Sequence, residues 1–91
     1  VVEPGESFKR YANDSTGRGS FLSSENFSSP EESVKALYLE PYDNKATYRQ
    51  SVTATKPSIV IEGGIKNGRP GSRQTLVIDR DAFDYGVGEK Y

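Results

Sequence analysis

The clearest structural signal in the chain is the stretch SSPEESVKALYLEP, residues 28–41, which carries the start and stop signals of a helix. Ser29 is suited to the N-cap, Pro30 to the first helical position and Glu32 to the third, where a glutamate completes a capping box. Three apolar residues then fall on one helical face and predict packing against a sheet: Val34, Leu37 and Tyr38. Because Pro41 cannot continue the helix, we expect one helix of about two to three turns.

The remaining segments favour β-structure, because apolar and β-branched residues alternate or cluster in short runs between turn residues. Five such runs precede a strand-like tail at residues 81–91: residues 7–12, 20–24, 46–54, 57–62 and 73–79. Short strands around one helix predict an α+β fold, with a small, mainly antiparallel twisted sheet and one short helix packed on it. We expect residues 1–6 to be a lead-in and residues 7–91 to form a single domain.

The chain contains no cysteine and no histidine. Disulfides, thiolate metal sites and the commonest general base are therefore excluded, and we expect no metal. Catalysis would have to use carboxylates, arginine, lysine, tyrosine, hydroxyls or amides. No segment approaches the roughly 18 apolar residues of a membrane span, so we expect no membrane contact. The absence of methionine indicates a piece of a longer protein.

The charge is concentrated in the middle of the chain. Residues 35–73 carry seven basic and three acidic side chains, a net charge of +4, whereas the whole chain has a net charge of −1. A basic middle segment suits an anionic ligand, which includes a dinucleotide, an RNA and an acidic protein partner. A solvated charged surface explains the same distribution without any ligand.

A glycine-rich basic loop at residues 63–73, GGIKNGRPGSR, leads directly into Gln74. Glycine lets the backbone approach a ligand closely, which predicts a ligand-binding loop with Gln74 as a contact residue. A plain hairpin turn with an exposed glutamine explains the same residues. The loop lacks both the GK[ST] and the GxGxxG patterns of phosphate-binding loops.

Arg10, Tyr11 and Ser23 are candidate ligand contacts in the first two predicted strands. An arginine can bind a phosphate through two parallel hydrogen bonds, and a tyrosine offers a face for stacking. The hydroxyl of Ser23 can orient an arginine or a ribose. Each of the three is also common on an ordinary strand surface.

The order of these pieces resembles the ADP-ribosyltransferase-like domains of bacterial polymorphic toxins (contact-dependent-inhibition or Rhs type). The similarity is greatest to NAD glycohydrolases of the tuberculosis-necrotising-toxin type. The matching positions, within residues 8–79, are Arg10, Tyr11, Gly17, Arg18, Phe21, Pro70, Gly71 and Gln74.

The resemblance implies NAD as the substrate and gives each matching residue a role. Arg10 would hold the NAD phosphates, Ser23 would brace the site, and Gln74 would stand where the transferases have a glutamate. The other implied NAD contacts are Tyr11, Gly71 and Arg73. Because glutamine replaces that glutamate, the resemblance favours hydrolysis of NAD over ADP-ribosylation of a protein.

The resemblance also implies partners and a place of action. A toxin of this group is delivered as a C-terminal fragment, acts in the cytoplasm of the target cell and is blocked by a cognate immunity protein. Dependence on a host activator is also compatible with the resemblance.

Two alternatives use the same residues differently. A histidine-independent ribonuclease of the barnase, EndoU, colicin or RelE type would cleave tRNA, with Tyr48 and Arg49 as catalytic residues, since tyrosine can move protons and arginine can stabilise phosphate charge. Its further candidates are Lys45, Thr47 and Arg73. A non-catalytic binding module explains the sequence with no active site at all.

Overall fold

The computed structural model describes residues 1–91 and contains one α-helix, two 3₁₀ turns and seven β-strands in two antiparallel sheets. The predicted α+β class is confirmed. Helix α1 spans Pro30–Leu37, and the 3₁₀ turns span Glu40–Tyr42 and Arg80–Ala82. The strands are β1 Ser7–Ala12, β2 Phe21–Leu22, β3 Tyr48–Ala54, β4 Val60–Gly64, β5 Arg73–Val77, β6 Phe83–Tyr85 and β7 Glu89–Lys90.

The two sheets are joined edge to edge. The first sheet has the order β1-β3-β6, with β7 also paired to β3, and the second has the order β2-β5-β4. Lys9 of β1 and Ser23, which follows β2, exchange two backbone hydrogen bonds of 2.7 and 2.8 Å. This bridge makes β2 the neighbour of β1, so β5 lies only two strands away from β1.

The joined sheets have two faces, because successive side chains of a strand point to opposite sides. The inner face carries the larger core cluster: Val2, Phe8, Leu22, Val52, Ala54, Val77, Ala82 and Phe83. We call the other side the helix face, because α1 packs on it over a second cluster of Tyr11, Phe27, Ala36 and Ala46. Phe8 and Tyr11 of β1 belong to different clusters for this reason.

Helix α1 begins as its capping sequence predicts, with one difference in detail. Ser29 Oγ accepts the backbone N–H of Glu32 at 3.2 Å, a cap that contributes about 1 kcal/mol. The carboxylate of Glu32 does not close the capping box, because it binds Ser28 Oγ and Arg69.

Helix α1 has eight residues and is too short to span a membrane.

The buried face of α1 differs from the predicted one. Ser33 and Ala36 are fully buried, whereas Val34 and Leu37 are only partly buried beside the second cluster. Tyr38 lies outside the helix, as its C-cap in the left-handed conformation. The buried side of the helix therefore carries two small residues, of which Ala36 belongs to the second cluster.

The glycine-rich segment forms the β4–β5 hairpin, and its glycines have different roles. Gly63 and Gly64 are inside β4 and pair with Gln74 and Arg73. Gly68 lies against α1, where an added Cβ would be 2.4 Å from the Ala36 carbonyl oxygen. The next residue, Arg69, donates its backbone N–H to that oxygen at 3.0 Å. The hairpin loop is therefore anchored on the C-terminal end of the helix.

The lead-in is also part of the fold. Val2 is buried in the first cluster and exchanges backbone hydrogen bonds with Ser58 at 2.8 and 3.1 Å. Ser58 therefore forms an isolated bridge with Val2 instead of belonging to β4. Strand β4 begins at Val60, three residues after the start of the predicted strand at residues 57–62.

Candidate functional site: a cleft between the helix and the joined sheets

The three main depressions of the surface have a volume of about 400 Å³ each, and one of them suits a small organic ligand. The depression beside the N-terminus contains two carboxylates, Glu6 and Glu62, and no cationic side chain. The depression beside the start of α1 has one apolar side chain, Val34, among mixed charges. The third, which we call the cleft, has mainly apolar walls with a few polar groups, the usual composition of ligand pockets.

The cleft lies on the helix face. Its floor comes from β1, the β2 segment and β5: Lys9, Tyr11, Phe21, Leu22, Ser23 and Gln74. Its wall comes from the end of α1 and the connection after it: Leu37, Leu39, Tyr42 and Asn44. Three residues that the sequence proposed for one site, namely Tyr11, Ser23 and Gln74, therefore do lie together.

Gln74 carries the amide group of the cleft that has no hydrogen-bond partner in the protein. Its amide makes no hydrogen bond within the protein and is partly exposed. Gly63 is its direct partner on β4, and a Cβ placed there would meet no atom within 4 Å. The space beside the Gln74 amide is therefore open, as a contact residue requires.

Lys9 supplies the positive charge of the cleft, and sequence reasoning missed it. Its Nζ donates to Ser51 Oγ at 2.7 Å, which fixes the ammonium group above β1 and β3. Lys9 and Tyr11 are two residues apart on β1, so the alternation of side chains along SFKRYA already placed them on the same face of the strand. An ammonium group at this position favours a phosphate or another anion in the cleft.

Tyr11 and Ser23 belong to the floor of the cleft and are held in place by hydrogen bonds within the protein. Tyr11 is buried, and its hydroxyl donates to the Glu25 carbonyl at 2.7 Å and accepts the Phe27 N–H at 2.9 Å. Burial raises the pKa of the Tyr11 phenol, so it is not suited to releasing a proton at neutral pH. Ser23 is also buried, and its Oγ accepts the Glu25 N–H at 3.1 Å.

Arg10 lies on the inner face, on the opposite side of β1 from the cleft. Its guanidinium donates to Gln50 Oε1 at 3.0 Å and forms an ion pair with Asp14 at 2.9 Å. The hydrogen bond from Arg10 lowers the pKa of the Asp14 carboxyl. Gly17 and Gly19 pass so close to the guanidinium that a side chain at either would collide with it. These contacts order the β1–β2 connection, and they place Arg10 away from Gln74.

Tyr48 and Arg49 point to opposite faces of β3 and do not form a pair. Arg49 donates to the Phe27 carbonyl at 2.7 Å and stacks on Tyr91, with 4.9 Å between the guanidinium carbon and the ring centre. Tyr48 lies under the ammonium group of Lys90, 5.9 Å from the ring centre. Arg49 is thus engaged by Phe27 of the second cluster and by Tyr91, rather than being free in an open site.

The other candidates for RNA cleavage are dispersed. Lys45 lines the depression beside the start of α1, and Thr47 immediately precedes β3. Arg73 begins β5 in the other sheet, where it is paired with Gly64 and has the opposite strand parity to Gln74. The five candidates for RNA cleavage, which include Tyr48 and Arg49, therefore do not converge on one cleft.

Gly71, which the resemblance gives as an NAD contact, takes the left-handed conformation that the hairpin turn requires, with φ of 86°.

Comparison of the chain with protein-family models, with curated proteins and with solved structures returned no match. No three acidic side chains come together as a set of metal ligands. The polar groups of the cleft are the free Gln74 amide, the bonded Asn44 amide, the Lys9 ammonium group, two buried hydroxyls and the exposed Tyr42 hydroxyl, and the rest of its lining is aromatic and aliphatic.

Proposed function

We propose that this chain is an interbacterial toxin effector domain that hydrolyses NAD, with the cleft as its active site. The observation that carries the proposal is the Gln74 amide, which faces a largely apolar cleft without any partner in the protein. Lys9 adds a positive charge at the same floor, which suits the phosphates of a dinucleotide. The proposal keeps Gln74 in the role that the sequence resemblance gave it and replaces Arg10 by Lys9 as the phosphate contact.

The reaction breaks the bond between the nicotinamide nitrogen and the ribose. The bonding electron pair leaves with nicotinamide, which becomes neutral, and the ribose becomes an oxocarbenium-like cation. Water then adds to that carbon and loses a proton to solvent, so no histidine is needed. Catalysis of this kind depends on holding the substrate in a geometry close to the transition state.

Each cleft residue has a part in that geometry. The Gln74 amide binds ribose hydroxyls next to the breaking bond, and Lys9 holds a phosphate oxygen. The apolar walls, which include Leu37 and Leu39, favour a neutral departing ring over a charged one. Protein ADP-ribosylation is not part of the proposal, because no carboxylate lines the cleft at the place of Gln74.

The test is release of nicotinamide from NAD by the purified chain. Gln74→Ala is expected to lower the rate by about twofold to tenfold, since a hydrogen bond between uncharged groups contributes roughly 0.5–1.5 kcal/mol. The matched control is Val87→Ala, because Val87 is 73% exposed and lies between β6 and β7, away from the cleft. Val87→Ala should release nicotinamide at the unchanged rate.

Two outcomes would contradict the proposal. Absence of nicotinamide release by the unmodified chain is the first, and an unchanged rate in Gln74→Ala is the second. Discrete cuts in tRNA without NAD hydrolysis would instead establish the ribonuclease alternative, and inactivity on both substrates would favour the non-catalytic module.

The proposal includes a cognate immunity protein, and we expect it to bind the side of the second sheet that carries Gln74. Four apolar side chains there are 56–68% exposed: Phe21, Ile59, Ile61 and Ile78. Residues 56–80 carry five basic and two acidic side chains, a net charge of +3. An apolar surface with basic surroundings suits an acidic protein, which would cover Gln74 from the side of β4. In this proposal the domain acts in the cytoplasm of the target cell.

A further inference from the structure

Two aromatic side chains at the mouth of the cleft are exposed to solvent, although their neighbours in the cleft are buried or partly buried. Tyr42 is 77% exposed and Phe21 is 61% exposed, and both line the cleft. Phe21 comes from the sheet and Tyr42 from the connection that follows α1. Aromatic rings can gain a large contact area when a ligand covers them, and they lose little conformational freedom in doing so.

The connection that presents Tyr42 is unusual in its backbone. Three residues other than glycine take the left-handed conformation between α1 and β3: Tyr38 with φ of 52°, Asp43 with φ of 53° and Ala46 with φ of 51°. Each such residue costs about 1 kcal/mol or more. Strain of this kind persists only where surrounding contacts hold it, and it is concentrated at functional sites.

Two asparagines hold this strained connection in place. Asn13 donates to the Asp43 carbonyl at 3.0 Å and accepts the Lys45 N–H at 2.8 Å. Asn44 donates to the Tyr11 carbonyl at 2.9 Å and accepts the Ala46 N–H at 2.9 Å. The frame around Tyr42 is therefore fixed on β1, whereas the Tyr42 hydroxyl itself makes no hydrogen bond.

We infer that Phe21 and Tyr42 hold the planar ring of one nucleotide unit at the mouth of the cleft. The ring would stack against the two aromatic side chains, its ribose would reach the Gln74 amide, and its phosphate would reach Lys9. This inference rests on the proposed function and deepens it, because it makes one nucleotide the recognised unit and leaves the second half of the dinucleotide outside. A nicotinamide nucleotide and an RNA nucleotide share this chemistry.

The experiment titrates the ¹⁵N-labelled chain with three probes and follows its amide resonances. The probes are nicotinamide mononucleotide, adenosine monophosphate and ribose 5-phosphate, which lacks a ring. We expect both nucleotides to bind and nicotinamide mononucleotide to bind more tightly, with shifts at Gln74 and Lys9. Ribose 5-phosphate should bind at least about fivefold more weakly than nicotinamide mononucleotide, because stacking of one base contributes roughly 1–3 kcal/mol.

The variants separate stacking from other effects. Tyr42→Ala and Phe21→Ala should each weaken binding of the mononucleotide by about tenfold to a hundredfold, whereas Tyr42→Phe, which keeps the ring, should bind as the unmodified chain does. Both side chains are largely exposed, so the amide spectra of the variants should show the native fold. Binding of ribose 5-phosphate should be the same in all four proteins.

The outcomes distinguish this inference from the proposed hydrolysis. Equal affinities in the alanine variants and the unmodified chain, or no binding of either nucleotide, would overturn the inference. Tighter binding of adenosine monophosphate, with the same loss in the alanine variants, would keep the aromatic site and count against nicotinamide cleavage. Nicotinamide release that is unaffected by Tyr42→Ala and Phe21→Ala would keep the hydrolysis and overturn the inference.

Discussion

Gln50 and Gln74 are the two glutamines of the chain, and both lie on β-strands. Gln50 is 1% exposed, accepts a hydrogen bond from Arg10 and donates one to the Gly86 carbonyl. Gln74 has no partner in the protein and faces the cleft. A glutamine side chain is therefore bound within the fold at position 50 and has no partner at position 74.

This difference predicts opposite effects of the same substitution on stability. Gln50→Ala should lower the free energy of unfolding by about 3 kcal/mol, because it leaves the Gly86 carbonyl and the Arg10 guanidinium without a buried partner. Gln74→Ala should change it by less than about 0.5 kcal/mol. Urea denaturation followed by circular dichroism measures both, and equal losses in the two variants would contradict the assignment.

At the scale of elements, Gly63 and Gly64 are neighbours on β4. Side chains introduced at these two positions would therefore lie on opposite faces of the second sheet. Both are in ordinary extended backbone, and an added Cβ at either would meet no atom within 4 Å. Paired residues of antiparallel strands project to the same side. A side chain at position 63 would therefore lie beside Gln74, and one at position 64 would lie on the inner side beside Arg73.

Gly63→Val and Gly64→Val should both keep or increase stability, by up to about 1 kcal/mol, because glycine weakens a strand. Only Gly63→Val should reduce nicotinamide release from NAD, since its methyl groups would occupy the space beside the Gln74 amide. Rates and urea midpoints measured on the two variants check this prediction. Loss of release in Gly64→Val alone would place the site on the inner face, contrary to the cleft.

The sequence predicted the elements better than it predicted the site. Capping residues and strand alternation act over a few residues, so α1, β1 and β5 begin where their local patterns indicate. Arg10 and Tyr11 were assigned to one site although they are neighbours on a strand and must face opposite sides. Tyr42 gave no local signal, because its exposure at the cleft depends on ties between its loop and β1.

At the scale of the whole molecule, three tyrosines connect distant parts of the chain through buried or partly buried hydroxyls. Tyr91, the last residue, shares a 2.6 Å hydrogen bond with Ser33 of α1, and Tyr85 donates to the Gly19 carbonyl at 2.8 Å. Tyr11 joins β1 to the segment before α1. Burial is the main cause that raises the pKa of all three phenols above the ordinary value of about 10.

This raised pKa predicts a loss of stability in alkaline solution. A phenol whose pKa is higher in the folded than in the unfolded state contributes stability below about pH 10, and the contribution is lost as the pH rises towards the folded-state pKa. Ionisation of Tyr11, Tyr85 and Tyr91 should therefore coincide with loss of the near-ultraviolet circular dichroism. Tyrosine ring resonances in NMR follow each residue separately, and ionisation of the three near pH 10 in an intact fold would contradict the prediction.

The sequence by itself determined the single capped helix, the positions of the short strands and a chemistry without histidine or cysteine, because these depend on local backbone preferences and on composition. Only the tertiary structure decided which side of each strand faces the cleft. The bridge between Lys9 and Ser23 brings β2, and with it the paired strand β5, beside β1, and α1 covers the same face at a distance that leaves a cleft. Lys9, Gln74 and Tyr42 meet there from segments far apart in the chain, and pairing across that distance has no local signal.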